Sequence, residues 1–195
     1  MNNRVSIGID PGTTGCVCQI SAGGSINFWD TPCDKVKVGK KVRAVYDIAK
    51  MASILREAAR LGAPLVTIEE IHAMPKNGGC GNFSSGYGYG VWLALLTSLG
   101  IPFQTVQPAA WKKALGLKKP AGEKITDSAK KAADKQFACR LFPSAASQMA
   151  LVKHHGRADS LLIAEYGRRS FSNGVMESAA IYAPAVITDC ALRLQ

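Results

Sequence analysis

The sequence predicts a single α/β domain in which helices flank a mixed five-stranded sheet. Three short apolar runs, at residues 4–10, 16–21 and 25–30, are separated by glycine turns, which predicts an antiparallel meander. Two further strand-like runs, at residues 64–70 and 102–106, each follow a helical pattern, which is typical of parallel pairing. With 195 residues and 47% hydrophobic content, the chain can bury one sizeable core.

A basic connector is expected after the third strand, followed by the first helix. Apolar side chains recur at helical spacing over residues 43–61, and Gly62 follows at a position typical of a helix end. The connector carries five cationic residues: Lys35, Lys37, Lys40, Lys41 and Arg43.

Residues 77–90 are the least regular stretch, because six of the fourteen are glycine and aromatic residues lie among them. We expect a mobile loop here and a helix that begins near Ser84 and ends at Leu99, where apolar residues share one face. Gly86 and Gly90 are expected to let that helix approach the sheet closely.

The remaining elements complete one domain over residues 1–173. Pro108 is at the position typical of a helix start, and two longer helices are expected over residues 123–141 and 157–170. The tail, residues 174–195, is apolar and weakly patterned, so it is interpreted as either a last strand or an oligomer contact.

The formal net charge of +10 favours a polyanionic partner, with nucleic acid first. An anionic membrane is a weaker alternative, because the chain has no long apolar segment and no basic amphipathic helix. Residues 1–4 lead directly into a strand and leave no room for a secretory signal, so an intracellular protein is expected.

The six cysteines are expected to be reduced and mostly buried. They form no Cys-x-x-Cys pair, which argues against a zinc ribbon, and a domain of this size needs no disulfide framework. Only Cys80, in the glycine-rich stretch, is expected to be exposed. The positions are 16, 18, 33, 80, 139 and 190.

Acidic residues mark the ends of two apolar runs and the start of a third. Asp10 ends the first strand and precedes a glycine turn, Glu69-Glu70 closes the run at 64–70, and Asp159 opens a helical stretch. An acid at the end of a buried strand is costly unless a cation or strong donors offset its desolvation. The alternative is that Asp10 only accepts backbone N–H bonds in its own turn.

Neighbouring strand ends in an α/β sheet bring distant side chains together, and a helix packed across them supplies further ligands. Hard oxygen ligands from two or three carboxylates suit one or two Mg²⁺ ions. A pair of such ions about 4 Å apart would generate a hydroxide and stabilise the leaving oxygen of a phosphodiester.

Five motifs occur along the chain in a specific order and spacing. They are Ile7-Gly8-Ile9-Asp10-Pro11-Gly12, Ile68-Glu69-Glu70, Gln107-Pro108 with Trp111-Lys112, Asp134-Lys135 with Leu141-Phe142-Pro143, and His155-Gly156-Arg157-Ala158-Asp159-Ser160-Leu161-Leu162-Ile163-Ala164. Over about residues 4–169 the chain therefore resembles the RuvC-like Holliday-junction resolvases, particularly phage-type members. The resemblance implies an RNase H-like fold of the retroviral-integrase superfamily, a homodimer, and Mg²⁺-dependent paired nicking of four-way DNA junctions.

The resemblance also implies which residues form the site. The first acid of the family falls on Asp10, the second on Glu69 and the last on Asp159, which would hold two Mg²⁺ ions, with Mn²⁺ as a substitute. Adjacent strand residues point to opposite faces, so Glu69 and Glu70 should not both reach the metals, and Glu69 is chosen. The role of Glu70 stays open.

The last motif departs from the bacterial pattern. Bacterial RuvC-type enzymes generally have an acid or a histidine three residues before the final aspartate, where this chain has Gly156. His155 lies four residues before Asp159, as in the plant chloroplast resolvases, and could ligate a metal or act on the attacking water. His154 is interpreted as a phosphate or structural contact, and a plain surface histidine remains the alternative for both.

Residues 112–140 carry nine Lys or Arg residues against three acids, more than helix solubility requires. Each is either a phosphate contact or a solvated surface residue. The contacts favoured are Lys112, Lys118, Lys119, Lys135 and Arg157. Phe83 is expected either to insert against unstacked bases at the crossover or to pack its helix onto the core.

Other functions are compatible with parts of the sequence. The segment from Asp10 to Gly15 also resembles the phosphate hairpin of actin-like ATPases and sugar kinases, but a second glycine hairpin is missing and the chain is short for two such subdomains. No nucleotide cofactor is therefore expected. An RNA–DNA hybrid nuclease on the same fold and a non-catalytic junction-binding protein remain alternatives.

Overall fold

The structure, a computed structural model, describes residues 4–60, 62–75, 78–117 and 126–172. The strands in chain order are β1 (Arg4–Asp10), β2 (Cys16–Ile20), β3 (Ile26–Asp30), β4 (Cys33–Val38), β5 (Lys41–Tyr46), β6 (Ala63–Glu69) and β7 (Phe103–Val106). The helices are α1 (Ile48–Ala59), α2 (Gly78–Ser98), α3 (Pro108–Ala114), α4 (Asp127–Leu141) and α5 (His155–Ser172). Two short 3₁₀ segments, Pro143–Met149 and Val152–His154, join α4 to α5.

The central sheet has the strand order β3-β2-β1-β6-β7. The pairs β1–β2 and β2–β3 are antiparallel, whereas β1–β6 and β6–β7 are parallel. This arrangement confirms the predicted mixed five-stranded sheet. The sequence placed each of these strands within one residue of its observed bounds, because each is a short apolar run between turn residues.

Both faces of the sheet are covered, so its strands are largely buried on both sides, except for the edge strand β3, which is partly exposed. On one face, α1 and α2 enclose Ile7, Ile9, Val66 and Ile68 in the core. On the other face, α5 packs directly on β1 and β2 and is itself covered by α3 and α4. The two faces together bury a core large enough for one stable domain.

The approach of α5 to β1 is closest at Gly8. A Cβ atom at Gly8 would overlap the carbonyl oxygen of Ser160 and the backbone nitrogen of Ala164, so only glycine fits there. At Ser6, the hydroxyl donates to the carbonyl of Ala164 over 2.6 Å. The second and third turns of α5 therefore lie against the middle of β1.

The predicted basic connector and the start of the predicted first helix are wrong. Residues 33–46 form a second, two-stranded antiparallel sheet of β4 and β5, and α1 begins only at Ile48. Alternation of valines with cations gives this segment the period of a strand. Asp47 then caps α1, since its side chain accepts a hydrogen bond from the Lys50 backbone N–H at 3.0 Å.

The predicted loop over residues 77–90 is also wrong, because α2 already begins at Gly78 and runs through the glycine-rich segment. A Cβ at Gly86 or Gly90 would meet open space, so these glycines do not mediate a close approach. Gly88 does, but against the hydroxyl of Tyr46. Tertiary contact along α2 therefore offsets the low helix propensity of its glycines.

The later helices follow the sequence more closely. α3 begins at Pro108 as predicted, and α5 begins at His155, two residues earlier than expected. α4 begins at Asp127 after the capping residue Thr126, and the expected start at residue 123 lies outside the described residues. The tail at 174–195 lies outside them as well.

The five described cysteines are free, and Cys80 is exposed, as predicted. Among the described residues, no helix is long and apolar enough to span a membrane.

The close contact at Gly8 predicts a large difference between two glycine-to-alanine changes. Gly8→Ala should lower the free energy of unfolding by about 1–3 kcal/mol or more, because the new methyl group overlaps the backbone of α5. Gly90→Ala should instead raise it by about 0.5–1 kcal/mol, because alanine favours the helix and the site is open. Urea denaturation of both variants measures the difference; equal effects would contradict the packing.

Candidate active site

Three acids predicted from the sequence lie at one end of the sheet. β1 and β6 are parallel neighbours, and Ile9 pairs with Ile68, so the next residues, Asp10 and Glu69, leave the two strands side by side. α5 crosses the end of β1 and brings Asp159 to the same place. All three side chains are partly buried.

The acids share a poorly solvated space and repel one another. Burial raises the pKa of Asp10, although a hydrogen bond of 3.2 Å from the Gly12 N–H opposes the shift. Burial, with the charge of Asp10, raises the pKa of Glu69 to about 7. The pKa of Asp159 is well above its usual range, because of burial and then of the charges of Asp10 and Glu69. Such a cluster favours a bound cation.

Glu69 is held in place by a buried tryptophan. The indole Nε1 of Trp111, on α3, donates to Glu69 Oε1 over 2.9 Å. Trp111 is fully buried, so this donor has no access to solvent. Glu70 points elsewhere and accepts a hydrogen bond from the Thr105 hydroxyl at 2.6 Å. The two adjacent acids are separated as strand alternation requires.

Lys112 lies beside the acids and is paired with Asp134 of α4 over 2.8 Å. Its ammonium also lies 4.9 Å from the centre of the Trp111 ring. Burial lowers the pKa of Lys112, but the hydrogen bond to Asp134 and the nearby acids outweigh burial and raise it overall. Asp134 is a site residue that the sequence analysis did not select, although its motif was noted.

His155, the first residue of α5, faces the cluster. Its Nε2 lies 3.4 Å from Thr14 Oγ1 and 3.3 Å from Lys131 Nζ. An ammonium can only donate, so Nε2 accepts and the imidazole is neutral. Burial and then Lys131 lower the pKa of His155 below its ordinary 6.5, against the opposing charge of Asp10.

His154 lies away from the acids. Its Nδ1 is buried and has no hydrogen-bond partner among the described residues. Burial and then the charge of Arg157 lower its pKa, and Asp30 at the end of β3 opposes them. The two histidines therefore occupy different environments, which agrees with different roles.

Gly156 has a packing reason to be glycine. A Cβ there would overlap the carbonyl oxygen of Thr14, because the start of α5 lies against the turn between β1 and β2. The position three residues before Asp159 therefore cannot hold the acid or histidine of the bacterial pattern without a shift of this turn. His155 is the neighbouring position from which a side chain reaches Asp10.

Two of the predicted DNA contacts are used inside the fold. Arg157 donates to both carboxylate oxygens of Asp30, at 2.6 and 2.7 Å, and to the carbonyl of Gln148 at 2.9 Å. The ammonium of Lys135 donates to the carbonyls of Ala150 and Leu151 at 3.4 and 3.2 Å. Lys118 and Lys119 lie outside the described residues.

Phe83 projects from α2 and is 76% exposed. Its ring stacks on Tyr87 at a centroid distance of 6.5 Å. The alternative in which Phe83 packs its helix onto the core is therefore wrong. Insertion of Phe83 into DNA stays a prediction.

Within the described part of the chain, no group of three or more His, Cys, Asp or Glu side chains is arranged to hold a metal ion. The donor chemistry nevertheless fits a divalent cation, because three carboxylates lie at one place, where burial and then the charge of Asp10 raise the pKa values of Glu69 and Asp159. Carboxylate oxygens are the ligands that Mg²⁺ and Mn²⁺ prefer.

Similarity to solved structures supports the same architecture. The structure is similar to "T. thermophilus RuvC in complex with Holliday junction substrate", with a TM-score of 0.53 and 17% sequence identity over 91% of this chain and 99% of that chain. A second solved chain, "Thermus thermophilus RuvC structure", gives a TM-score of 0.49 and 16% identity over the same shares. The first similarity shows a RuvC-like fold.

Sequence similarity reaches one curated protein, the chloroplastic Holliday junction resolvase MOC1 of Chlamydomonas reinhardtii. The two are 34% identical over 93 residues, which is 48% of this chain and only 10% of that protein. No family model matches the chain.

The repulsion among the acids predicts how the stability of the metal-free protein depends on pH. The folded chain holds the pKa of Glu69 near 7 against an ordinary 4.5, so it binds more protons than the unfolded chain between these values. The free energy of unfolding should therefore fall as pH rises from about 4.5 to 7.

Glu69→Gln should remove this contribution. In EDTA we expect the variant to be more stable than the native chain by about 1 kcal/mol or more at pH 8 and nearly equal to it at about pH 3, where Glu69 is protonated in both states. Urea denaturation at the two pH values measures the effect. Glu70→Gln, outside the cluster, is the control; an equal pH dependence in both variants would contradict the model.

Proposed function

We propose that the chain is a metal-dependent endonuclease that resolves four-way DNA junctions by paired nicking of phosphodiesters. The observation that carries the proposal is the group of three mutually repelling carboxylates, Asp10, Glu69 and Asp159, at one end of a RuvC-like sheet. The similarity to a chloroplastic Holliday junction resolvase supports the junction as the substrate.

Asp10, Glu69 and Asp159 would hold the divalent cation, and we propose two Mg²⁺ ions per site, with Mn²⁺ as a substitute. When bound, such ions activate water as a nucleophile and stabilise the leaving oxygen of the phosphodiester. Charge compensation by the ions would also relieve the repulsion that raises the pKa values of the acids.

The protein's own groups position the reacting parts. The Gly12 N–H and the Trp111 indole fix the carboxylates of Asp10 and Glu69 by hydrogen bonds. Preorganised ligands of this kind need no reordering during the reaction. Lys112, whose charge is balanced by Asp134, lies at the edge of the acids and can bind a phosphate oxygen of the substrate.

His155 is proposed as the group that takes a proton from the attacking water. Its imidazole is neutral, since burial and Lys131 lower its pKa, and the Nε2 lone pair, which faces the Lys131 ammonium in this structure, would exchange that hydrogen bond for the proton of the water. The proton would leave the site through Thr14 and solvent, because Nε2 and the Thr14 hydroxyl are 3.4 Å apart.

A homodimer would place two such sites on opposed strands, because a four-way junction has approximate two-fold symmetry. Phe83, stacked on Tyr87 and exposed, would insert against unstacked bases at the crossover. An intracellular location, in a bacterial cytoplasm if a phage encodes the chain, is proposed together with this substrate.

Acid variants and a panel of substrates test the function. Asp10→Asn, Glu69→Gln and Asp159→Asn should each abolish Mg²⁺-dependent nicking of a labelled four-way junction, while binding of the junction is retained or strengthened. Glu70→Gln is the matched control and should remain active. Faster cleavage of a linear RNA–DNA hybrid would instead indicate the hybrid nuclease, and stabilisation by ATP would indicate the actin-like alternative.

The two histidines provide a second test. His155→Ala should slow cleavage by about 10²-fold or more if the imidazole transfers a proton, whereas His154→Ala should retain most activity. In the native chain, cleavage should fall as pH drops below 6.5, because protonation removes the base and the pKa of His155 lies below that value. A dead His154→Ala variant beside a normal His155→Ala variant would reverse the assignment.

A further inference from the structure

The β4–β5 hairpin is the most basic segment of the described chain that the site does not use. It extends from Cys33 to Tyr46, carries five cations against one acid, Asp34, and forms a sheet of its own. Strands of six residues make a ribbon about 20 Å long. An isolated two-stranded ribbon is marginally stable by itself, which favours a surface that is completed by a partner.

The cations of the hairpin are unpaired, unlike those near the site. None of Lys35, Lys37, Lys40, Lys41 and Arg43 forms an ion pair or a side-chain hydrogen bond with another described residue, and all five are exposed. In contrast, those of the favoured DNA contacts that the structure describes are paired with Asp134 or Asp30 or donate to backbone carbonyls. Exposed, unpaired charges are the ones available to a polyanion.

The root of the hairpin is attached to the candidate site. The hydroxyl of Tyr46 donates to the carbonyl of Pro11 at 3.4 Å, directly after Asp10, and Cys33 Sγ lies 3.8 Å from the carbonyl of Thr13. Tyr46 also contacts Tyr87 of α2 at a centroid distance of 6.0 Å. The hairpin therefore extends from the same edge of the domain as the acids.

Only one face of the hairpin is continuous with the aromatic side chains of α2. Directly paired residues share a face, and the pairs Cys33–Tyr46, Lys35–Ala44 and Lys37–Val42 are on one face. That face continues from Tyr46 to Tyr87 and the exposed Phe83. Lys41 and Arg43 lie on the other face.

The exposed valines do not form an uninterrupted apolar patch. Val36, Val42 and Val45 are 42%, 65% and 45% exposed, but a cation lies next to or opposite each of the first two. An apolar protein partner would have to bury these charges without compensation, which is costly. A phosphate backbone would neutralise them instead.

We propose that the β4–β5 hairpin binds the phosphate backbone of a duplex DNA arm, with Lys35 and Lys37 as its principal contacts. The identity of the anion as DNA rests on the proposed function. Binding through phosphates positions the DNA and reads no base sequence, so the hairpin contributes equally to junctions and to linear duplex.

The test measures binding without cleavage. The full chain and the double variant Lys35→Gln/Lys37→Gln are titrated in EDTA onto labelled four-way junction and onto labelled duplex, over a series of NaCl concentrations. The matched control, Arg56→Gln/Arg60→Gln, removes the same charge from exposed positions on and just after α1. Circular dichroism and light scattering monitor the fold and the oligomeric state.

We expect the hairpin variant to lose about tenfold or more in affinity for both DNAs and to flatten the slope of log K against log salt by about two units, since each lost contact contributes about 0.9. The control variant should change the slope by much less. An unchanged slope with a native fold would overturn the proposal. If the slope is unchanged and the oligomeric state is altered, the proposal is also overturned, and the hairpin is instead an interface between copies of the chain.

A native chain that binds DNA through the hairpin but cuts no junction would refute the proposed function and leave this inference standing.

Discussion

The close packing of α5 on β1 is the constraint on which the candidate site depends. Gly8 marks the tight contact between the middle of α5 and β1, and Gly156 marks the contact between the first turn of α5 and the turn that follows β1. Because neither position can accept a side chain, the helix is fixed in depth and in rotation against the strand. That fixed position brings Asp159 and His155 of α5 to Asp10 at the end of β1. A change of a few tenths of an ångström in this contact would move ligands that must meet within one coordination sphere.

The same packing also buries the acids of the site close together, which disfavours their charged forms. Residues that a helix presses onto a strand end lose water, and carboxylates that lose water together raise one another's pKa values. The fold counters this cost with directed donors: the Gly12 N–H for Asp10, and the indole of Trp111 for Glu69. Lys112 lowers the pKa values of the acids, but Asp134, with which it is paired, opposes this for Glu69 and Asp159, and both pKa values stay raised. A divalent cation would neutralise the negative charge that remains on the carboxylates.

The cations on the rest of the surface fall into two groups: some stabilise the fold, and others are free to bind a partner. Arg157 joins the start of α5 to Asp30 of β3, and Lys135 holds the carbonyls of the segment that leads into α5. These cations stabilise the elements that position the site. The hairpin cations form no ion pair or side-chain hydrogen bond with other described residues, so they remain free to bind a partner. Net charge alone does not distinguish the two uses, because an ion pair between distant segments leaves no local signal in the sequence.

The sequence by itself determined the sheet, because short apolar runs and glycine turns are local signals, and it predicted Asp10 and Glu69 as site residues, because an acid at the end of a buried strand is costly. It did not determine the β4–β5 hairpin, whose many cations were interpreted as a basic connector, or the early start of α2, where glycine propensity is outweighed by packing against Tyr46. It also missed Asp134 and could not assign the partners of Lys135 and Arg157. Only the tertiary structure decided these, since each depends on which distant segments meet, and hydrogen bonds and ion pairs form between side chains that the fold brings within about 3 Å.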